Sequence, residues 1–174
     1  MSHPPVVRKD ARLSSEGTYR YYLIRDFVES APRRRACFVG LNPSTADAVE
    51  DDPTIRRCMS FAHAFGCNGL MMVNLFAYRA TCPADLKAAA VRGVDVVGPY
   101  NRMRVRARAG TSHIVVACWG ANRLPGMEDE IENFLTGCRR YGKPIHCLGT
   151  TKAGHPKHPL YLASNTPLTR WEPR

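Results

Sequence analysis

Four short apolar runs punctuate the chain: Ala36 to Leu41, Leu70 to Phe76, His113 to Trp119 and Ile145 to Leu148. Each is continuous instead of alternating and ends in a polar or glycine-containing turn, as expected of strands buried on both faces. Between them lie helical patterns over about Pro53 to Phe65, Pro83 to Ala90, Val94 to Ala109 and Glu128 to Arg140. Asp52 stands where an N-cap belongs, and Pro53 at the first helical position. An earlier aromatic run, Tyr19 to Ile24, predicts one more strand. The alternation of strand and helix predicts an α/β three-layer sandwich, a central four-stranded parallel sheet with helices on both faces. Residues 1–17, with Pro4, Pro5 and several charges, read as an N-terminal arm that is either mobile or laid over the domain. Residues 18–174 then form a single α/β domain.

Charge adds a partner class to this picture. Twenty-five Lys and Arg against fifteen Asp and Glu give a net charge of +10. Such a surface favours a polyanion through counterion release, which points to a nucleic acid. Seven cysteines without a C-x-x-C pair argue against a disulfide framework and a zinc ribbon, and Cys37, Cys118 and Cys147 read as small core residues. His155 and His158 lack further ligands at recognisable spacing, so no metal and no cofactor is expected. No run of eighteen apolar residues and no signal core occurs, so the expected protein is soluble, cytoplasmic and without a membrane partner, with a monomer favoured.

In parallel sheets ligands bind beyond the carboxyl ends of the strands, so the residues there are the candidates for chemistry. The first run delivers Gly40-Leu41-Asn42-Pro43-Ser44, then Asp47, Asp51 and Asp52. Pro43 removes a backbone donor and holds Asn42 extended, which stiffens the loop. The composition also suits a turn with aspartates as helix caps. The second run ends in Asn74, whose amide either pairs with backbone or reads the edge of a base. Arg79 follows, placed to reach a phosphate or to pair with Asp85. The third ends in Trp119-Gly120 and Arg123, with Trp119 either core or stacking platform, and Gly120 permitting close approach. The last is followed by a loop carrying Lys152, His155, Lys157 and His158. The arginines at 102, 104, 106 and 108 fall on separate strips of a helix and read first as a solvated surface.

Together, Gly40-Leu41-Asn42-Pro43-Ser44, the strand ending in Asn74, Trp119-Gly120 and His158-Pro159-Leu160 resemble, in this order, the motifs of the uracil-DNA glycosylase superfamily. More closely, Leu41 to Asp47, Asp51 to Thr54, Asn74 to Ala77 and His158 to Leu162 resemble an uncharacterised bacterial domain family of unknown function. The first resemblance implies a glycosylase-like fold, DNA (double- or single-stranded) as the partner, and cleavage of the N-glycosidic bond of a flipped-out nucleotide by water. It implies that Asn42 orients that water, that His158 stabilises the departing base, and that Asn74 reads the base edge. An amide at position 42 cannot take the water's proton, which leaves Asp47, Asp51 and Asp52 as candidate bases. The residue after Pro43 is a bulky tyrosine in the uracil-specific branch; Ser44 is far smaller and implies a pocket that admits a 5-modified pyrimidine, as in phage DNA, with a role in phage defence. The stacking aromatic usual after the first motif is replaced near Thr54 and Ile55, leaving Phe61, Phe65 or Trp119 for that task. His158-Pro159-Leu160-Tyr161 lacks the customary serine, and Tyr161 or Leu162 is placed to wedge into a duplex.

Two other classes fit the same residues. One is a nucleic-acid-binding module that has lost hydrolysis. The other is a hydrolase of free nucleosides or nucleotides. Base release from DNA, abolished by Asn42→Ala, separates the first reading from both.

Overall fold

The computed structural model describes residues 4–29 and 32–173. Its elements in order are β1 (Arg8–Leu13), β2 (Arg20–Asp26), β3 (Arg35–Gly40), α1 (Pro53–Ala64), β4 (Gly69–Asn74), α2 (Pro83–Val91), α3 (Asn101–Thr111), β5 (Ile114–Ala117), α4 (Met127–Arg140), β6 (Ile145–Cys147) and β7 (Thr169–Arg170). A 3-10 turn over Pro159–Tyr161 precedes β7.

The class is α/β, as the alternating pattern predicts, but the expected four-stranded parallel sheet is replaced by one of seven strands in the order β1-β2-β4-β3-β5-β6-β7. The four apolar runs are parallel neighbours at its centre. Strands β1, β2 and β7 flank them in antiparallel pairing. The extra edge strands escape the hydrophobic pattern for a physical reason. Arg8–Leu13 is polar and half-exposed, so backbone pairing with Arg20–Asp26 holds it without an apolar stripe. The segment expected as an arm therefore contributes a strand to the domain's sheet.

Alternation along β3 divides the core in two. Cys37 and Val39 face a cluster with Leu86, Val105 and Phe134 from α2, α3 and α4. Ala36 and Phe38 face a cluster with Ile55, Met59 and Phe61 from α1. Each large apolar side chain so buried contributes about 1.5–3 kcal/mol before the entropy of ordering is subtracted. Helix α1 starts as predicted, with the Asp52 carboxylate accepting from the Ile55 N–H at 2.8 Å. Helix α3 starts later than the expected Val94, because Gly98 has φ +82° and Pro99 cannot extend a helix from its N-terminal side. Asn101, its first residue, donates through Nδ2 to the carbonyls of Asn74 (3.1 Å) and Leu75 (2.9 Å), fixing α3 to the carboxyl end of β4. Among the described residues no helix is long and apolar enough to cross a membrane.

Candidate functional site

The loop after β3 owes its course to three arginines that donate to its main-chain carbonyls. Arg20 Nη1 reaches Ala46 at 2.8 Å. Arg25, fully buried, reaches Asp47 at 2.6 Å and Glu50 at 3.2 Å, and its Nε pairs with the Asp51 carboxylate at 2.7 Å. Arg79 reaches Ser44 at 3.3 Å, Thr45 at 3.1 Å and, on the other side, Gly17 at 3.2 Å. Buried carbonyls need donors, and a charged donor makes the stronger bond. The same loop is joined to the one after β4, because Asn42 Nδ2 donates to the carbonyls of Pro43 (3.0 Å) and Ala80 (2.7 Å). Both hydrogens of that amide are thereby used, and its Oδ1 remains as the available acceptor.

On the other side of β3, the Gly120 N–H donates to the Pro156 carbonyl at 2.9 Å, so the loops after β5 and β6 meet. Gly120 has φ +81°, and a side chain there would abut His158 Cβ at 3.4 Å. His158 caps the 3-10 turn, its Nδ1 accepting from the Leu160 N–H at 3.4 Å, which places the proton of the neutral ring on Nε2. Burial pushes the His158 pKa down, partly opposed by the Asp52 carboxylate. Arg57 of α1 donates to Ser164 Oγ at 3.0 Å and to the Leu162 carbonyl, fastening this segment to the helix.

These loops enclose a cavity of about 800 Å³ at the carboxyl ends of the central strands. Of the sequence-predicted residues, Gly40, Leu41, Asn42, Ser44, Asp52, Asn74, Trp119, Lys157, His158 and Tyr161 line it. Four chain segments thus converge on one space of a size that suits a small-molecule or single-nucleotide ligand.

Other expected residues lie elsewhere. Asp47 is outside the lining: its carboxylate accepts from the Val49 and Glu50 N–H groups, both at 2.8 Å, and those bonds hold its pKa down. Asp51 is spent on Arg25 and Lys9. Phe61 is core, beneath the Arg57 guanidinium and stacked on Phe65 at 5.9 Å. Pro43 is buried behind the wall and serves through its carbonyl, which also accepts from the Ala80 N–H. Arg79 pairs with carbonyls instead of Asp85. Arg123 bonds Glu128 at 2.5 Å and contacts His155 at 3.1 Å, and with Lys152 these residues stand outside the lining. Trp119 reaches the cavity but is 1% exposed, held edge-on between Phe134 and Trp171, so it offers no stacking face. Tyr161 is the opposite case, 85% exposed at the wall beside His158.

Sequence reading missed Arg20. It is 2% exposed, lines the cavity, and donates through Nη2 to Asn74 Oδ1 at 3.3 Å. Burial lowers its pKa to about 10, with Asp52 opposing, so it stays charged at neutral pH. Arg20 Nε, Asn74 Nδ2 and Trp119 Nε1, all from cavity-lining residues, are buried donors without a hydrogen-bond partner. Among the described residues no group of three or more His, Cys, Asp or Glu is placed to hold a metal ion.

The chain belongs to a family described as protein of unknown function (DUF1643), whose model matches residues 20–160. That span contains the cavity-lining residues from Arg20 to Leu160, and Tyr161 and Leu162 follow directly after it. No curated protein and no solved structure shows a significant match to the chain.

Proposed function

We propose that this protein is a DNA glycosylase that hydrolyses the N-glycosidic bond of a damaged or 5-modified pyrimidine flipped out of the stack. The observation that carries this reading is the convergence of Asn42, Asn74, Gly120 and His158 on one cavity. A base in the cavity lies against Asn74, with Gly120 allowing its backbone approach and Ser44 leaving room beside the 5-position. Water held by Asn42 Oδ1 attacks C1′ of the sugar as the bond to the base breaks. The base leaves with the bonding electron pair, its charge met by the Nε2–H of His158. Asp52, with one carboxylate oxygen capping α1 and its side chain at the cavity, accepts the proton from water. Lys157 and Tyr161 stand at the cavity wall where a backbone phosphate and a vacated stack would be met. The net charge of +10 supports a DNA partner, and the small side chain of Ser44 supports a 5-modified substrate of the kind a role in phage defence would call for.

The test is incubation of the protein with oligonucleotides carrying a panel of modified and damaged bases. Alkali-labile abasic sites and a matching free base in the mass spectrum are expected, both absent with Asn42→Ala. Release from free nucleosides but not from DNA would assign the cavity to nucleoside hydrolysis. DNA binding without any base release would make it a reading module.

A further inference from the structure

An amide in a pocket ordinarily offers one donor and one acceptor, and so reads both kinds of edge group. Asn74 does not have that freedom. Arg20 carries only donors, so its contact with Asn74 at 3.3 Å requires the amide oxygen on the arginine side and fixes the nitrogen on the other. The space at Gly40 reflects how closely the amide is held, since a side chain there would lie 2.7 Å from Nδ2. Arg20 Nη1 donates to Ala46 and Nη2 to Asn74, which leaves Nε as the guanidinium nitrogen with no partner. Nε and Nδ2 are each joined through one carbon to the atoms in the Arg20–Asn74 contact, and both are buried donors with no partner. A buried donor without a partner carries a desolvation cost that a ligand acceptor would relieve. The other carboxamide that packs here, Asn101, donates to the carbonyls of Asn74 and Leu75, and its Oδ1 makes no hydrogen bond to either donor.

We infer that Arg20 and Asn74 form a donor-only floor that selects a base presenting two neighbouring acceptors and rejects one presenting an exocyclic amino group. Two base types carry such an edge: a 4-oxo pyrimidine with a carbonyl or carboxylate at the 5-position, and a 6-oxopurine turned to show O6 and N7. Arg20 is here a specificity-determining residue. The buried guanidinium favours the carboxylate, because an anion compensates a charge that few acceptors now satisfy. This inference rests on the glycosylase reading of the cavity for its ligand class, but not for its test.

The test is direct binding of free 5-carboxyuracil, hypoxanthine, cytosine and adenine to the full chain, followed by NMR titration, with no catalysis involved. The wild type is expected to bind the two acceptor-bearing bases about tenfold or more tightly than the amino-bearing ones, and the tighter of the two identifies the source of the edge. Asn74→Asp keeps a partner for Arg20 and so keeps the fold, but turns the free side of the group into an acceptor. It is expected to reverse the preference towards cytosine or adenine. Failure of the acceptor-bearing bases to bind, equal binding of all four, or an unchanged preference in Asn74→Asp overturns the inference. Abasic-site formation on the oligonucleotide panel is scored separately. An active glycosylase with an indifferent floor loses only this inference; a selective floor without base release loses only the glycosylase.

Discussion

Asn42 Nδ2 donates to the Ala80 carbonyl across 2.7 Å, stitching the loop after β3 to the loop after β4. The bond does two things at once. It orients the amide so that its oxygen is the available group, and it closes one wall of the cavity. Asn42→Asp therefore brings a carboxylate against two carbonyls with no donor between them. A loss of about 1–3 kcal/mol is expected in urea unfolding, together with weakened base release. An Asn42→Asp protein as stable as the wild type would show that the amide is not oriented as described.

Gly40 tolerates no side chain for a steric reason. A Cβ would meet Asn74 Nδ2 at 2.7 Å and Met72 Cε at 3.0 Å, and Asn74 cannot retreat without leaving Arg20. Gly40→Ala is expected to cost about 1–3 kcal/mol and to reduce base release through displacement of Asn74. Thermal unfolding and the abasic-site assay check it; full stability with full activity is the contrary result.

Acidification should destabilise the fold through His158. Its folded pKa is pushed below the ordinary 6.5 by burial, despite Asp52. The unfolded state thus binds the proton more tightly, so the contribution is complete above pH 6.5 and is lost as pH falls through the folded value. His113 is shifted the same way by burial and Arg34, so the measurement is a difference. His158→Gln should show a smaller drop in unfolding free energy than wild type between pH 7 and pH 5. Equal drops would remove His158 from the balance.

Cations near the cavity divide into two kinds. Lys157 is exposed at the wall, and Lys157→Ala should leave stability within about 0.5 kcal/mol while lowering the salt slope of DNA binding by about 1. Tyr161→Ala should likewise spare stability and weaken binding. Arg79→Ala strips donors from the carbonyls of Gly17, Ser44 and Thr45 and should lower the midpoint of thermal unfolding. An Arg79→Ala protein that melts normally but loses DNA affinity would return this residue to phosphate contact.

The central strands and the N-cap of α1 were legible because local chemistry decides them: continuous apolar runs, the Asn42-Pro43 stop, and Asp52 before Pro53. The motifs pointed to Asn42, Asn74 and His158, and all three line the one cavity. Arg20 was not, because a charged residue between Tyr19 and Tyr21 reads as surface, and only contacts with Ala46 and Asn74 reveal its burial. Asp47 and Arg79 were misplaced by the same logic, since their type suits chemistry while their bonds serve a turn and a loop. Gly98 and Pro99 carried the signal that delays the start of α3, but the apolar spacing before them outweighed it.

The outermost strands bear on solubility during folding. Parallel strands pair across long stretches of chain, and an incomplete sheet offers bare backbone to other molecules. Here the outer positions fall to β1, whose Arg8, Lys9 and Arg12 are exposed, and to β7, only Thr169–Arg170 long. Short or cationic borders make poor templates for a neighbour's strand. The polar segment with the composition of a loose arm thus acts as a guard against edge-to-edge aggregation, and its deletion should leave Arg20–Asp26 with an open backbone row beside the cavity.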